Sequence, residues 1–98
     1  MKKLVFRSTD EFSEFFKGKS PELTNAIVES IRDAFMFHKK TANLFEITFD
    51  ESDSVFEISL SDKEWIVALE NCLKHYEEWE MGDDAIDTFL LIKEIKSW

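Results

Sequence analysis

The sequence is poor in the residues that interrupt regular structure or cross-link a chain. Its 98 residues include two glycines, one proline and one cysteine. So few glycines and prolines predict few and short loops. The single cysteine, Cys72, excludes an intramolecular disulfide and favours a reducing compartment. No segment approaches the roughly 20 apolar residues of a membrane span, and the N-terminal apolar run is too short for a signal peptide. These absences predict a cytoplasmic protein.

Positive charge is also scarce, and its distribution is uneven. Residues 1–40 carry eight Lys and Arg against six Asp and Glu, whereas residues 41–98 carry four against fifteen. The net charge is −9. A nucleic-acid-binding surface needs a basic footprint that tracks phosphates, so direct binding to DNA or RNA is not expected. The acidic balance instead favours solubility and permits a basic partner.

Alternating apolar residues predict a β-hairpin at residues 44–60. The alternation is carried by Phe45, Ile47 and Phe49 in the first strand and by Phe56, Ile58 and Leu60 in the second. A register that pairs Phe49 with Phe56 and Ile47 with Ile58 puts all six on one face, which burial would then fix. A polar loop, residues 50–54, joins the two strands. A lone hairpin is marginally stable, so the segment 2–7 is expected to add a third strand.

Helix start and stop signals divide the rest of the chain. Ser8 with Glu11 begins a short helix at 9–17, which Gly18 ends. Ser20 and Pro21 begin a second helix, and Ser61 with Glu64 begins a third that ends near Met81 and Gly82. The third helix has an apolar stripe of Trp65, Leu69, Cys72, Tyr76 and Trp79.

The segment 84–97 is apolar on nearly all sides, so it predicts either a helix or a strand. Asp83 or Asp84, either of which could cap the segment, and the lysines near its end favour the helix. The element order is then βααββαα. This order predicts an α+β fold in which residues 1–98 form a single two-layer domain. The small antiparallel sheet, made of the β-hairpin 44–60 and the N-terminal strand, is covered by helices.

Few residues are arranged as catalysis or metal binding requires. Cys72 and His75 lie three apart on one helix, but the only other histidine is His38, so a zinc site lacks ligands. The hairpin loop lacks the glycine and the distal glutamate of a calcium loop. Cys72 is more readily explained as a core residue than as a nucleophile. We therefore expect no catalytic residue, no metal and no cofactor.

Two stretches remain as candidate interaction sites. The first, here named the acidic corner, surrounds a predicted helix–helix turn and consists of Glu77, Glu78, Trp79, Glu80, Asp83, Asp84 and Asp87. It is typical of a solvated turn, or of a docking surface in which Trp79 is an anchor. The second consists of Leu91, Ile95 and Trp98, which would form an exposed patch for a homodimer if this chain leaves them uncovered.

These features favour a small acidic, non-catalytic domain for protein–protein interaction or regulation. The sequence does not identify the protein partner, and the acidic charge permits a basic one. A first alternative is a nucleic-acid mimic, whose carboxylates in residues 46–87 would occupy a basic nucleic-acid-binding site. A second alternative is a small enzyme or ligand-binding domain, which would need a deep pocket lined by aromatic residues with a buried carboxylate or His75. No membrane association is expected.

Overall fold

Strands and helices follow the predicted order in the computed structural model, which describes residues 2–17, 20–50 and 52–98. The strands are β1 (Lys2–Phe6), β2 (Thr41–Phe49) and β3 (Ser52–Ser61), and the helices are α1 (Thr9–Lys17), α2 (Pro21–Met36), α3 (Trp65–Glu78) and α4 (Gly82–Lys96). The α+β prediction is confirmed. The ambiguous final segment is helical. The predicted helix stop at Gly18 and the loop residue Glu51 lie outside the described residues.

The sheet is mixed rather than wholly antiparallel, which corrects the prediction. Its strand order is β1–β2–β3. Strand β1 runs parallel to β2, with Leu4 opposite Ile47, whereas β2 and β3 are antiparallel. Parallel neighbours need a long crossover connection, and the helices α1 and α2 between β1 and β2 supply it.

The predicted hairpin register is wrong by two residues. Ile47 lies opposite Phe56, and Phe45 lies opposite Ile58. The strands extend further into the loop than expected, since β3 already begins at Ser52. A shift of two positions keeps each side chain on its predicted face. Burial is nevertheless incomplete at the edge strand, where Phe56 is 53% exposed.

Helices α2 and α3 contribute to one core with the inner face of the sheet. The predicted stripe of α3 is buried from Trp65 to Tyr76. The indole Nε1 of Trp65 donates to the carbonyl of Leu60 at 3.0 Å, and the Tyr76 hydroxyl donates to Oδ1 of Asn25. Each buried ring therefore keeps a partner for its polar atom, which removes the main penalty of burying it.

Local signals account for most helix starts. The Ser20 side chain accepts from the backbone N–H of Leu23 at 3.1 Å, as a capping residue should. At the start of the third helical region, the Glu64 carboxylate accepts from the backbone N–H of Ser61 at 3.2 Å. That interaction caps the 3-10 turn Asp62–Glu64, which leads directly into α3.

The turn between α3 and α4 differs from its prediction. Helix α3 ends at Glu78, and Gly82 begins α4 instead of ending α3. Met81 is the N-cap residue of α4 and makes no side-chain cap, so neither Asp83 nor Asp84 has the predicted capping role. Both aspartates instead lie in the first turn of α4.

Candidate functional site

The acidic corner forms at one end of the α3–α4 helical hairpin. Glu77 and Glu78 lie at the end of α3, and Glu80 lies in the short connection. The aspartates of the corner lie in the first two turns of α4. Its carboxylates are exposed apart from Asp84, which is half-buried. The fold thus brings the predicted residues together because the connection between the two helices is only three residues long.

The two halves of the acidic corner differ in their electrostatic setting. Asp83 and Asp84 lie at the positive end of the α4 dipole, where negative charge is stabilising. Glu77 and Glu78 lie at the negative end of the α3 dipole, where it is destabilising. Within the described part of the chain, no Lys or Arg nitrogen lies within 4.0 Å of the carboxylates of Glu77, Glu80, Asp83 or Asp87.

Glu80 also has an unfavourable backbone conformation. Its φ is 55°, in the left-handed region that suits glycine. The reason is the end of α3, where the Glu80 N–H donates to the carbonyl of Glu77 and the Met81 N–H donates to that of Tyr76. This pair of hydrogen bonds is the Schellman motif, which places its C′ residue in the left-handed conformation. The motif explains why a residue other than glycine is strained here.

Trp79 is half-buried and packs against the core. Its ring centroid lies 5.5 Å from that of His75 and 6.3 Å from that of Tyr76. The indole therefore fixes the end of α3 while part of its surface remains exposed. This position leaves only part of the ring for the anchor role suggested by the sequence.

A polar cleft of about 120 Å³ lies beside the corner and was not foreseen from the sequence. It is lined by Asn25, Glu29 and Arg32 of α2 together with Tyr76, Asp84 and Asp87. Burial, with a smaller contribution from the nearby Asp84 carboxylate, raises the pKa of Tyr76 to about 12. The sequence holds no local signal for this cleft, since its residues belong to three different helices.

An apolar groove of about 310 Å³ lies between the helices and the hairpin. Its walls include Ile27 of α2, Ile58 and Leu60 of β3, and both Cys72 and His75 of α3. The sequence suggested that these last two residues could face one ligand, and the structure places both on the groove. However, burial raises the pKa of the Cys72 thiol to about 11. The thiol is therefore protonated near neutral pH, whereas a nucleophile needs the thiolate.

The groove matches the ligand-binding alternative only in part. Its volume is at the lower end of the range for small-molecule sites. Phe45 and His75 carry the aromatic rings among its described lining residues, and none of those residues carries a carboxylate. Thr24, Asn71 and His75 supply its polar atoms besides the Cys72 thiol.

The predicted self-association patch is divided by the structure. Leu91 is 5% exposed and belongs to the core, so its assignment to an exposed patch is wrong. Ile95 is half-buried against the core, whereas Trp98 is 80% exposed. The Trp98 ring lies 5.8 Å from Phe35 and 5.6 Å from His38, measured between centroids. The sequence could not identify the buried side of α4 because apolar residues occur on all its sides.

Two absences characterise the described residues. No group of three His, Cys, Asp or Glu side chains among those residues could hold a metal ion. None of the helices they form is long and apolar enough to cross a membrane. Comparison with protein-family models, curated proteins and solved structures gave no match. The fold is that of a small α+β domain.

Proposed function

We propose that this protein is a non-catalytic protein–protein interaction domain of the cytoplasm, and that its acidic corner docks a basic segment of a partner protein. The observation that carries the proposal is the position of Glu77, Glu78 and Glu80. These carboxylates stand at the end of α3, where the helix dipole opposes negative charge. A solvated turn needs polar residues but not three glutamates at such an end.

The stability cost at this corner favours a function for it. A charge of the wrong sign near a helix end typically costs about 0.3–1 kcal/mol, and a non-glycine residue at positive φ costs about 1 kcal/mol more. Glu80 combines both features, and no cation of the described residues neutralises it. Residues that reduce stability and present unneutralised charge are typical of binding surfaces. A partner with Lys or Arg would offset the repulsion on binding.

The side chains that line the apolar groove support the non-catalytic part of the proposal. Cys72 is the strongest nucleophile of its lining, and burial keeps the thiol protonated. The groove does favour one alternative, a domain that binds a small apolar ligand. Binding of such a ligand would raise the thermal unfolding midpoint of the domain, which gives a direct assay for this alternative.

The proposal is tested by affinity capture from the native cell with the wild-type protein and with the variant Glu77→Gln/Glu80→Gln. Both side chains are exposed, so neither substitution should disturb the core. We expect the variant to lose a partner that the wild type retains. Affinity for the purified partner should fall by tenfold or more as NaCl rises from about 50 to 300 mM, because salt screens exposed charges.

The matched control is Glu57→Gln/Glu70→Gln, which removes the same charge from exposed positions on β3 and α3. It should capture the partner as the wild type does. Equal loss with both variants, or binding that salt does not weaken, would contradict docking at the acidic corner. If the partner is a nucleic-acid-binding protein that DNA or RNA displaces from the domain, the mimic alternative is the correct one.

We also propose that the chain forms a homodimer. Exposed apolar side chains on α4 support this proposal, although they are not the residues suggested by the sequence.

A further inference from the structure

The solvent-facing side of α4 carries an unusual amount of apolar surface. Ile86 is 59% exposed, Phe89 48% and Leu90 56%. These three side chains lie within five consecutive residues, and the charged residues Asp87 and Lys93 surround them. Clustered exposed apolar residues with a polar rim are typical of surfaces that associate.

The order of residues along this side is the more informative feature. Asp83, Ile86, Leu90 and Lys93 are spaced by three, four and three positions, so they form one ridge along the helix. Thr88, Leu91 and Ile92, which are buried, occupy the opposite side. Read from the N-terminus, the ridge is negative, apolar, apolar and positive.

A ridge with this order is complementary to itself when reversed. We propose that two copies of the chain associate through antiparallel packing of their α4 helices. The inference rests on the homodimer proposed above and specifies its surface and register. In this register Asp83 lies opposite Lys93 of the second copy, and Ile86 lies opposite Leu90 of the second copy. Parallel packing would instead oppose Asp83 to Asp83, which like-charge repulsion disfavours.

The charged ends of the ridge are available for such pairing. Among the described residues, no carboxylate lies within 4.0 Å of the Lys93 ammonium, and no Lys or Arg nitrogen lies within that distance of the Asp83 carboxylate. The Lys93 nitrogen lies 5.5 Å from the centroid of the Phe89 ring. This cation–π contact keeps the ammonium beside the apolar part of the ridge.

The expected dimer is a weak one. A single pair of helices offers a short interface, below the roughly 1,000 Å² that stable complexes usually bury. The two chains also repel each other, since each carries a net charge of −9. The twofold symmetry of the contact means that each charge pair occurs twice, so a substitution acts on both pairs at once.

Sedimentation equilibrium between micromolar and millimolar protein tests the inference. The wild type should show a concentration-dependent monomer–dimer equilibrium, and Leu90→Glu should remain monomeric. Because Leu90 is exposed, the variant should keep the thermal unfolding midpoint of a folded domain. The matched control is Val5→Glu, which adds the same charge at a residue 64% exposed on the outer face of the sheet and should leave dimerisation unchanged.

Charge reversal tests the register. Asp83→Lys and Lys93→Asp should each weaken dimerisation by about tenfold, since each opposes like charges at two places. The double variant Asp83→Lys/Lys93→Asp restores opposite charges at both places and should recover most of the affinity. Additive weakening in the double variant would overturn the antiparallel register.

Two further results would distinguish failure of the α4 surface from failure of the homodimer proposal as a whole. A dimer that persists in Leu90→Glu would show that the chain associates through another surface, so the inference on α4 would fail alone. A wild type that stays monomeric up to about millimolar concentration would overturn both the inference and the proposed homodimer. Capture of a basic partner through Glu77 and Glu80 is tested separately, because neither residue belongs to the α4 ridge.

Discussion

Glu80 is the residue at which backbone strain and charge repulsion coincide. Glycine adopts φ near 55° without steric penalty and also removes the carboxylate from the negative end of α3. We therefore expect Glu80→Gly to raise the free energy of unfolding by about 0.5–1 kcal/mol. Urea denaturation followed by circular dichroism measures the change.

The control for this substitution is Glu77→Gly. It removes the same charge three residues earlier, but within the regular helix, where glycine costs about 0.5–1 kcal/mol relative to alanine. The carboxylate is lost in both variants, so only the backbone conformation distinguishes them. If Glu77→Gly stabilised the domain as much as Glu80→Gly does, the effect would come from the lost charge and not from the backbone conformation.

Cys72 makes stability depend on pH above neutrality. Burial raises the pKa of its thiol from the ordinary value of 9.0 to about 11, so the folded state keeps a proton that the unfolded chain loses. Its contribution to stability is therefore complete below pH about 9 and is lost as the pH rises to about 11. We expect the free energy of unfolding to fall across this interval.

The variant Cys72→Ala isolates the thiol from other alkaline titrations. It creates a small cavity, which lowers stability at every pH, but it removes the ionisation. Between pH 9 and 11 its unfolding free energy should fall less steeply than that of the wild type. Tyr76, with a pKa raised to about 12, contributes to the remaining decrease in both proteins above pH 10. Identical slopes would mean that Cys72 does not titrate differently on unfolding.

The hairpin β2–β3 shows how a strand pattern determines stability even where its register was mispredicted. Ile47 is 1% exposed in the core, whereas Thr48 faces the other side of the sheet between Val5 and Val55. Burying an unpaired carboxylate is very costly. Ile47→Asp should therefore abolish cooperative unfolding near room temperature, and Thr48→Asp should cost about 1 kcal/mol or less.

Chemical denaturation of Ile47→Asp and Thr48→Asp measures the free energy of unfolding of each variant. The threonine variant is the control, because it introduces the same carboxylate one position along the same strand. A comparable loss of stability in both would mean that the two faces of β2 are equally buried, contrary to the structure.

Local patterns predicted most of the elements because their causes are local. The capping hydrogen bond from Leu23 to Ser20 and the buried stripe from Trp65 to Tyr76 both depend on residues three or four apart. The parallel pairing of β1 with β2 joins segments some forty residues apart, so no local pattern contains it. The register also depends on an irregularity between Asn43 and Phe45, which lets the adjacent residues Leu44 and Phe45 both be buried.

The sequence predicted some candidate surfaces better than others, because only some of them depend on residues that are close in sequence. The acidic corner is contiguous in sequence, so its convergence at one turn could be anticipated. The outward face of α4 could not be identified, because both Leu90 and Leu91 fit an apolar pattern and only packing buries the second. The polar cleft containing Arg32 and Asp84 requires α2 and α4 to be neighbours, which sequence spacing does not reveal.

The charge distribution makes the domain as a whole sensitive to ionic strength. Residues 41–98 contain fifteen Asp and Glu but only four Lys and Arg, and folding concentrates this charge. Self-repulsion of a highly charged compact state is reduced by salt, whose screening length is about 10 Å at 0.1 M. Raising NaCl from about 20 to 300 mM should therefore increase the free energy of unfolding.

The acidic corner should account for a measurable part of this response. Neutralising Glu77 and Glu80 removes two unpaired charges from the negative end of α3, so Glu77→Gln/Glu80→Gln should be more stable at low salt by about 0.3–1 kcal/mol for each charge. Its stability should also depend less on NaCl. Urea denaturation of both proteins at each salt concentration gives the two slopes. Equal slopes would show that the repulsion is spread over the rest of the surface, which would remove the energetic argument for docking at this corner.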